Sequence, residues 1–404
     1  MKNQAIQLFN TGVKSADPAL AVRQSLQKAP LSTVDGRLFV VAIGKAAGAM
    51  AKAAMEMLSP WQTLVITTPE NAQPLPDAQV LTGSHPVPDA SSVAAGQAVL
   101  KLLDSCGPKD RVLALISGGG SALMLAPSAG LTLADKASVN RLLLKSGLDI
   151  MAMNLIRQQL SRLKGGGLLR TAFPTPVTAL ILSDVVGDDL QVVASGPTTA
   201  PIGNRAQAMA SLKAAGIWTK LPEGVRTVLS VPDMPPIGAF PMDNRLIGSN
   251  GQSVAAMGEL APDAKIFPHA LEGDVQEAAI TICRCKKSGT WLFGGETTVH
   301  LNGDGLGGRN QELALRVAVL AEKQNWSGDW VFLSGGTDGR DGPTDAAGGL
   351  VDGGTLARIR SAGLDPQKVL DNNDSYHGLK AAGDLLITGA TGTNVADLQV
   401  LIRR

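Results

Sequence analysis

Short, continuous apolar runs alternate along the chain with longer segments in which apolar residues recur every three or four positions. The first run, RLFVVAIGK at residues 37–45, is followed by the alanine-rich segment AAGAMAKAAMEML. Further strand-like runs follow in the same alternation: TLVITTP, RVLALISGGG, TALILSDVVGDD, NRLIGSNGQS, TWLFGGETTVHL, DWVFLSGGTDG and DLLITGATGTN. Strands that are apolar throughout and alternate with helices indicate parallel sheets covered on both faces. The pattern predicts an α/β protein with parallel sheets along its whole length.

A proline-rich segment predicts the boundary between two domains. Residues 221–241 contain five prolines, and such segments are typical of the linkers at which domains meet. We therefore predict a larger N-terminal domain at residues 1–235 and a smaller C-terminal domain at residues 236–404. The length of 404 residues accommodates two domains of this size.

The composition narrows the classes of function. A net charge of +1, with one Tyr, seven Phe and five Trp, gives no reason to expect a nucleic-acid or membrane partner. Three cysteines make no disulfide framework, so we expect reduced thiols, a buried structural pair in TICRCKKSG, and a cytoplasmic protein. No apolar run has the length of a signal peptide or a membrane span, so we expect neither. Small molecules are the expected partners.

Glycine with small polar or charged neighbours ends at least six of the predicted strands, at residues 44–45, 117–121, 248–250, 294–296, 334–338 and 388–393. In open parallel sheets, ligands bind outside the carboxyl ends of the strands, and glycine there lets backbone amides approach a ligand closely. A tight turn between strand and helix explains any single glycine equally well. As a set these strand ends predict a polyanionic ligand, and ALISGGGSALMLAP, with three adjacent glycines, is the clearest example.

One segment matches a dinucleotide-binding fingerprint. GDGLGG, residues 303–308, fits G-x-G-x-x-G and lies between a strand-like and a helix-like segment. The next predicted strand does not end in the Asp or Glu that this fingerprint places about 20 residues on. Arg309 follows the motif directly and suits phosphate oxygens, which a guanidinium binds through two hydrogen bonds. The chain has no Walker A sequence, so that motif does not identify the ligand. A nicotinamide cofactor and other phosphate-bearing ligands are both alternatives at this point.

Seven segments occur in order from about Lys45 to Leu398: AIGKAAGAM, SHPVPD, LISGGGSALM, LSDVVGDDLQVVASGPT, GGETTVHLNGDGLGGRNQELAL, GTDGRDGPTDAAGG and TGTNVADL. They resemble the successive motifs of the glycerate 2-kinases of the MOFRL family, a class formerly labelled hydroxypyruvate reductases. The resemblance implies a Rossmann-like domain with a parallel sheet, a smaller C-terminal α/β domain, and an active site in the cleft between them. It also implies transfer of the γ-phosphoryl group of ATP to the 2-hydroxyl of D-glycerate, giving 2-phosphoglycerate and ADP, with Mg²⁺ as the metal.

Phosphoryl transfer requires groups that position the substrates and neutralise charge on the transferred group. Lys45 ends a predicted buried strand and Arg309 begins a predicted helix. In line with the resemblance, we expect both to stabilise the transferring phosphoryl group. The turn 117–121 is expected to bind phosphate oxygens of the nucleotide, with binding of the glycerate carboxylate as the alternative. The residues assigned to nucleotide or phosphate binding are Ser117, Gly118, Gly119, Gly120, Ser121, Gly295, Glu296 and Asn310.

Carboxylates lie at several predicted strand ends. Asp184, Asp188 and Glu296 are candidate ligands for Mg²⁺, which proteins bind through one or two carboxylates together with substrate phosphates. One carboxylate is expected to accept the proton of the glycerate hydroxyl, and Asp184 is the one assigned to catalysis. Candidate contacts to the substrate are His85, Arg157 and Asp338. The alternatives are ordinary turns for the acids, a loop position for the histidine, and a solvated basic helix face for the arginine.

Two other classes of function remain. An NAD(P)H-dependent hydroxypyruvate reductase would use residues 303–308, and a non-catalytic sensor of sugar phosphates or nucleotides would use the same cleft. Formation of ADP from ATP in the presence of glycerate and Mg²⁺ distinguishes the kinase from both. The sequence does not choose between a monomer and a homodimer.

Overall fold

The computed structural model describes residues 1–32, 35–233 and 242–404. Within these ranges the helices are α1 (Lys2–Ser15), α2 (Pro18–Lys28), α3 (Ala47–Met57), α4 (Ala90–Asp104), α5 (Gly120–Leu123), α6 (Leu133–Leu144), α7 (Ile150–Gln159), α8 (Gly167–Ala172), α9 (Arg205–Ala214), α10 (Glu223–Ser230), α11 (Asn250–Leu260), α12 (Val275–Cys283), α13 (Arg309–Lys323), α14 (Thr355–Ser361), α15 (Pro366–Asp371) and α16 (Ser375–Ala382). The strands are β1 (Leu38–Ile43), β2 (Gln62–Thr67), β3 (Ala78–Thr82), β4 (Arg111–Ile116), β5 (Val177–Leu182), β6 (Met242–Gly248), β7 (Lys265–Ile266), β8 (Leu271–Asp274), β9 (Gly289–Thr298), β10 (Trp330–Gly336), β11 (Gly348–Asp352), β12 (Leu385–Leu386) and β13 (Asp397–Arg403).

The first of two compact units comprises residues 18–183 and 188–247. Its six strands lie in the order β3-β2-β1-β4-β5-β6, and β1 to β5 are parallel to their neighbours. This is the strand order of the doubly wound dinucleotide-binding fold, in which the chain reverses direction across the sheet beside β1. The prediction of a Rossmann-like parallel sheet is confirmed for this unit.

The apolar runs of the sequence form the centre of this sheet. Five of the six residues in β1, and five of six in β4, are buried. Helix α3 packs on β1 and β2, and α4 packs on β3. The central strands are therefore covered on both faces, which is why they are apolar at successive positions instead of alternating.

The second unit comprises residues 1–17, 184–187 and 248–404. Its strands lie in the order β12-β11-β10-β13-β9-β7, with β8 also paired to β9. Strand β13 is antiparallel to both β9 and β10, and β11 is antiparallel to β10 and β12. The sheet is mixed, whereas apolar runs that alternate with helices indicated parallel sheets. The predicted α/β class of this part of the chain is confirmed. Helices cover both faces of this sheet as well, and that burial makes its strands apolar throughout whatever their direction.

Alternate residues of β9, β10 and β13 enter two separate cores. Phe293, Phe332 and Leu401 join one core with α12 and α13. Their sequence neighbours Leu292, Leu333 and Val400 join the other core with α1 and α11. The period of two residues along each strand divides the side chains between the faces of the sheet.

The first 17 residues belong to the second unit, although the sequence assigned residues 1–235 to one domain. Leu8 and Phe9 of α1 are buried in the same core as Met257 and Leu398, and α1 packs on α11 and β13. The gain from burying these side chains decides where α1 lies, and local sequence carries no signal for it. The predicted boundary at residues 235/236 lies outside the described residues.

Two expectations from composition have structural counterparts. Cys283 and Cys285 are buried, and burial raises the pKa of the Cys283 thiol to about 12, in keeping with a structural role. Within the described ranges, no helix combines the length and the apolar character needed to cross a bilayer.

Candidate active site

The turn after β1 and the turn after β4 lie side by side at the carboxyl edge of the first sheet, since the two strands are neighbours. The amide of Lys45 donates to the carbonyl oxygen of Gly118 at 2.9 Å. Ser117, which is 1% exposed, donates from Oγ to the carbonyl of Ile43 at 3.3 Å and accepts from the amide of Ala46 at 3.2 Å. The Ser117 proton is used to hold the turn that carries Lys45, which argues against the predicted contact of this hydroxyl with phosphate.

The three glycines after Ser117 give a turn whose backbone amides are open. Gly119 has φ of 84°, in the left-handed region, and precedes α5. In the described chain, no backbone hydrogen bond uses the amides of Gly118, Gly119, Gly120 or Ser121 as donors, although Gly118 and Gly120 are buried. Buried amides are rarely left without an acceptor. Four successive amides of this kind are the donor set that binds phosphate oxygens or a carboxylate.

Lys45 and His85 flank this turn. A Cβ atom placed on Gly119 would lie 3.4 Å from Cγ of Lys45 and 3.3 Å from Cδ2 of His85. Partial shielding of the imidazole ring and the charge of Lys45 lower the pKa of His85, and Glu70 opposes them. Both side chains predicted for the site are therefore present at the glycine turn, and Lys45 brings positive charge to it.

Arg157 lies on α7 and shares one face of that helix with Asn154, as predicted. Its guanidinium donates to the Oδ1 atoms of Asn154 at 3.2 Å and Asn140 at 2.6 Å, and burial lowers its pKa. These partners are neutral, so they leave the positive charge uncompensated. Lys164 lies beyond the end of α7.

Arg309 is the first residue of α13 in the second unit, as predicted. Its Nε and Nη2 atoms donate to the two carboxylate oxygens of Asp397 at 2.6 and 2.9 Å, and Nη1 lies 3.1 Å from Oε1 of Glu296. Asp397 is 0% exposed. Burial alone would lower the pKa of Arg309, but the bonds to Asp397 and the charge of Glu296 raise it. A guanidinium has five donors, so two remain for a ligand.

Glu296 lies in an acidic part of the second unit. Burial raises the pKa of its carboxyl group, Arg309 opposes this, and the charges of Asp397, Asp184 and Asp338 raise it further. The structure thus brings Glu296 and Asp184, two predicted metal ligands, into one electrostatic neighbourhood. Among residues 1–32, 35–233 and 242–404 there is no group of three or more His, Cys, Asp or Glu side chains arranged for a metal ion.

Asp338 and Asp188 occupy different settings. The Oδ1 atom of Asp338 accepts the amide of Arg340 at 3.0 Å, as in an ordinary turn, yet its charge also reaches Asp397 and Glu296. Asp188 has φ of 56°, in the left-handed region. Its buried Oδ1 atom has no hydrogen-bond partner in the described chain, which is compatible with a ligand role.

Two of the predicted nucleotide contacts are used within the fold. Asn310 is 1% exposed, accepts from Oγ of Ser334 at 2.6 Å, and donates its amide to Asp341. Gly295 is buried, and a Cβ there would overlap the backbone of Leu271 in the neighbouring strand. Close packing explains both residue types, so neither predicted contact with phosphate gains support.

The loop 303–308, which matched the dinucleotide fingerprint, is filled by the chain's own turn at residues 372–375. The amide of Gly305 donates to the carbonyl of Asn372 at 3.0 Å, and that of Leu306 donates to Oδ1 of Asp374 at 2.9 Å. A Cβ on Gly303, Gly305 or Gly307 would overlap this turn. These three glycines serve packing, and the amides of residues 303–306 are not open to a pyrophosphate.

The structure places three further residues at these sites, and the sequence did not indicate their partners. Asp397 orients Arg309, and an acid that opens the apolar segment DLQVLIR was the available signal, because a buried acid needs a partner. Lys164 and Ser195 bond with Ser121. No local pattern indicated them, since 43 and 74 residues separate them from Ser121.

Comparison with known proteins gives the chain its relatives. Residues 4–230 match the model of a domain of unknown function, DUF4147, and residues 289–397 match the model of the MOFRL family. A D-glycerate 2-kinase from Thermotoga maritima is 39% identical, over 98% of this chain and 97% of that protein. A protein from Agrobacterium vitis with the provisional name hydroxypyruvate reductase is 41% identical, over 98% of this chain and 93% of that protein.

A solved structure agrees with these relationships. The crystal structure of glycerate kinase from Thermotoga maritima superposes with a TM-score of 0.93 at 38% identity, covering 100% of this chain and 99% of that one. Both the sequence and the fold are therefore matched along essentially their full lengths. The chain belongs to the MOFRL family of glycerate 2-kinases.

Proposed function

We propose that this chain transfers the γ-phosphoryl group of ATP to the 2-hydroxyl of D-glycerate, giving 2-phosphoglycerate and ADP. The observation that carries the proposal is the glycine turn beside Lys45, with four open backbone amides at the carboxyl edge of a doubly wound sheet. Phosphoryl transfer depends on such preorganised donors and on fixed positive charge. The acceptor is taken from the T. maritima relative, which is named a D-glycerate 2-kinase and matches 98% of this chain.

In this proposal the first unit binds phosphate through the turn 118–121 and the ammonium of Lys45. The amides act as hydrogen-bond donors to phosphate oxygens, and Lys45 neutralises charge that spreads over the transferred phosphoryl group. His85, whose lowered pKa favours the neutral ring, donates or accepts a hydrogen bond at the rim of the turn.

Arg309, Glu296 and Asp184 are the proposed functional residues of the second unit. Arg309 offers its two remaining N–H groups to substrate oxygens while Asp397 holds its orientation. Glu296 and Asp184 provide the oxygen ligands that Mg²⁺ prefers, and two carboxylates suffice when substrate phosphates complete the shell. When bound, Mg²⁺ would neutralise phosphate charge. Asp184 is also the proposed acceptor of the hydroxyl proton.

The reductase alternative has lost most of the feature on which it rested, since the amides of residues 303–306 bond to residues 372–374. We propose ATP and D-glycerate as the small-molecule partners. We also propose a cytoplasmic location, because the cysteines of the described chain are free thiols, as is usual in reducing compartments.

The test is incubation of the purified protein with D-glycerate, ATP and MgCl₂, followed by measurement of ADP. Phosphorus NMR of the product then identifies the acceptor oxygen. An ester at carbon 2 couples to one proton and gives a doublet, whereas an ester at carbon 3 couples to two and gives a triplet. A doublet supports the proposal. A triplet, absence of ADP, or oxidation of NADH with hydroxypyruvate contradicts it.

A further inference from the structure

A second set of donors lies at Ser121, two positions after Gly119. Lys164, which is 5% exposed, donates from Nζ to Oγ of Ser121 at 2.9 Å. The same Oγ atom lies 2.8 Å from Oγ of Ser195. One buried ammonium and two hydroxyl groups thus converge within the first unit, at the residue that ends the turn.

The segment that carries Ser195 is held in an unfavourable backbone conformation. Ala194 and Ser195 have φ of 49° and 63°, and Gly196 continues the left-handed conformation at 62°. L-residues other than glycine rarely adopt this conformation, because Cβ crowds the backbone there. The amide of Gly165 bonds to the carbonyl of Ser195 at 3.0 Å, and Nε2 of Gln158 bonds to it at 3.2 Å. These bonds hold the segment in the conformation that places the Ser195 hydroxyl beside Ser121.

Three basic side chains surround this cluster. Lys136 donates to the backbone carbonyls of Arg157 and Leu160, at 3.3 Å each, while Arg157 and Lys164 bond to amide and hydroxyl oxygens. In the described residues none of these three basic groups has a carboxylate partner. Burial and the charges of Lys164 and Arg157 lower the pKa of Lys136 well below its ordinary value. Burial, with help from Arg157, lowers the pKa of Lys164 to about 8. Buried cations normally pair with an anion, so a negatively charged ligand would relieve this cost.

The two donor sets lie at nearby positions of the same turn. Lys45 and His85 lie against Gly119, and Lys164 and Ser195 meet at Ser121. Ser121 is two positions after Gly119, so the Cα atoms of these two residues lie at most about 7 Å apart. In a 2-hydroxy acid, the carbon that bears the hydroxyl is bonded directly to the carboxylate carbon, which gives a separation of this order between a phosphoryl group on that oxygen and the carboxylate.

We propose that Lys164, Ser121 and Ser195 form the carboxylate-binding site for the acceptor, and that the part of the turn beside Lys45, at Gly119, binds the phosphoryl group. The inference rests on the proposed function and deepens it. It names the substrate class as small 2-hydroxy monocarboxylates, and it assigns the two ends of the turn that the sequence left open.

The experiment compares D-glycerate with its neutral amide, D-glyceramide, in the wild type and in Lys164→Met. Because a buried charge pair is removed, we expect the preference for glycerate over glyceramide in kcat/KM to fall by at least about 30-fold in the variant. The KM for ATP should stay within about threefold. Lys52→Met, an exposed lysine of the same unit, is the control and should behave as the wild type.

Calorimetric titration with D-glycerate gives a readout that does not depend on turnover. We expect Lys164→Met to weaken this binding by at least about 30-fold and to leave ADP binding unchanged. If Lys164→Met does not fold, Ser195→Ala removes one neutral donor and should weaken glycerate binding by about tenfold. Unchanged discrimination, or a loss of nucleotide affinity instead, overturns the inference.

The same data separate the inference from the proposed function. If the wild type binds D-glycerate through Lys164 but forms no ADP, the result contradicts the proposed kinase activity and supports the carboxylate-binding site at Lys164. If the wild type forms ADP with equal preference for glycerate and glyceramide, the result supports the proposed kinase activity and overturns the carboxylate-binding site at Lys164.

Discussion

Arg309 has a structural task beside its proposed role in catalysis, because it neutralises a carboxylate that is completely buried. Both oxygens of Asp397 accept hydrogen bonds from the guanidinium. Removing one partner of a buried pair leaves an uncompensated charge, which typically costs about 3–5 kcal/mol. Loss of activity in an Arg309 variant therefore does not by itself report on catalysis.

A double variant separates the two tasks. We expect Arg309→Ala to lower both the free energy of unfolding, by about 3–5 kcal/mol, and kcat, by at least about 10³-fold. Adding Asp397→Asn removes the orphaned charge, so stability should recover while turnover does not. Urea denaturation and ADP release measure the two effects. Recovery of turnover together with stability would leave Arg309 a purely structural residue.

Substitution of Lys45 tests the proposed catalytic role more directly than substitution of Arg309 does. Its ammonium has no carboxylate within ion-pair distance among the described residues, and it lies beside the open amides of the glycine turn. We expect Lys45→Ala to reduce kcat by at least about 10³-fold with little change in stability, by analogy with cations that stabilise transferring phosphoryl groups. Lys52→Ala, an exposed lysine on α3, should keep wild-type turnover. Equal turnover in both variants would remove Lys45 from the proposed mechanism.

At the scale of elements, only glycine fits at the first position of the turn between β1 and α3. Gly44 has φ of 120°, and a Cβ there would overlap the hydroxyl and backbone of Ser117. We expect Gly44→Ala to cost more than about 2 kcal/mol and to displace Lys45, lowering kcat as well. A Cβ on Gly48, within α3, would meet no described atom within 4 Å, so Gly48→Ala should stabilise this helix by up to about 1 kcal/mol.

Thermal unfolding and steady-state rates compare these two glycine variants directly. Similar behaviour of Gly44→Ala and Gly48→Ala would contradict the close approach of the two turns. Opposite signs in their stability changes would support it.

Helix α13 is capped from outside its own sequence. Gly308 at its N-cap has no side chain, and Asp341 accepts the amides of Asn310 at 3.1 Å and Gln311 at 2.8 Å. Burial raises the pKa of Asp341 to about 6, although the two amides oppose this. A carboxyl group with a raised pKa binds its proton more tightly in the folded state, and the resulting stability is lost as the pH rises from about 4 through about 6.

We therefore expect the wild type to lose on the order of 2 kcal/mol of this contribution between pH 4 and pH 6. Asp341→Asn has no proton to release, so its melting temperature relative to the wild type should rise over this interval. Melting curves at half-unit steps measure the difference. Parallel curves for the two proteins would show that Asp341 titrates as an ordinary surface acid.

At the scale of the whole molecule, the two units are not two successive stretches of chain. Helix α1 completes the core of the second unit, where Phe9 is 0% exposed and packs near Gly335 of β10. We expect Phe9→Ala to cost about 3–5 kcal/mol and to speed hydrogen exchange in β10 and β13 of that unit. Asn10→Ala, on the exposed face of α1, is the control. Protection lost in β1 and β4 instead would place α1 with the first unit.

Part of the site follows from the sequence and part does not. The apolar run that stops at Ser117, followed by three glycines, predicted an open turn, and the structure has one. That this turn lies against Lys45 depends on β1 pairing with β4. The strands β2 and β3 lie between them in the chain, so their adjacency was not local information.

The sequence by itself determined the strands β1, β2, β4, β5, β6, β9, β10 and β12, because apolar periodicity and glycine placement act within a few residues. The strands β3, β7, β8, β11 and β13 were not predicted. The sequence also indicated the family, through motifs that keep their order. Only the tertiary structure decided that the second sheet is mixed, that α1 joins it, and that Asp397, Lys164 and Ser195 meet their partners. Those features depend on contacts between residues far apart in the chain, and the free energy of burying side chains together selects them.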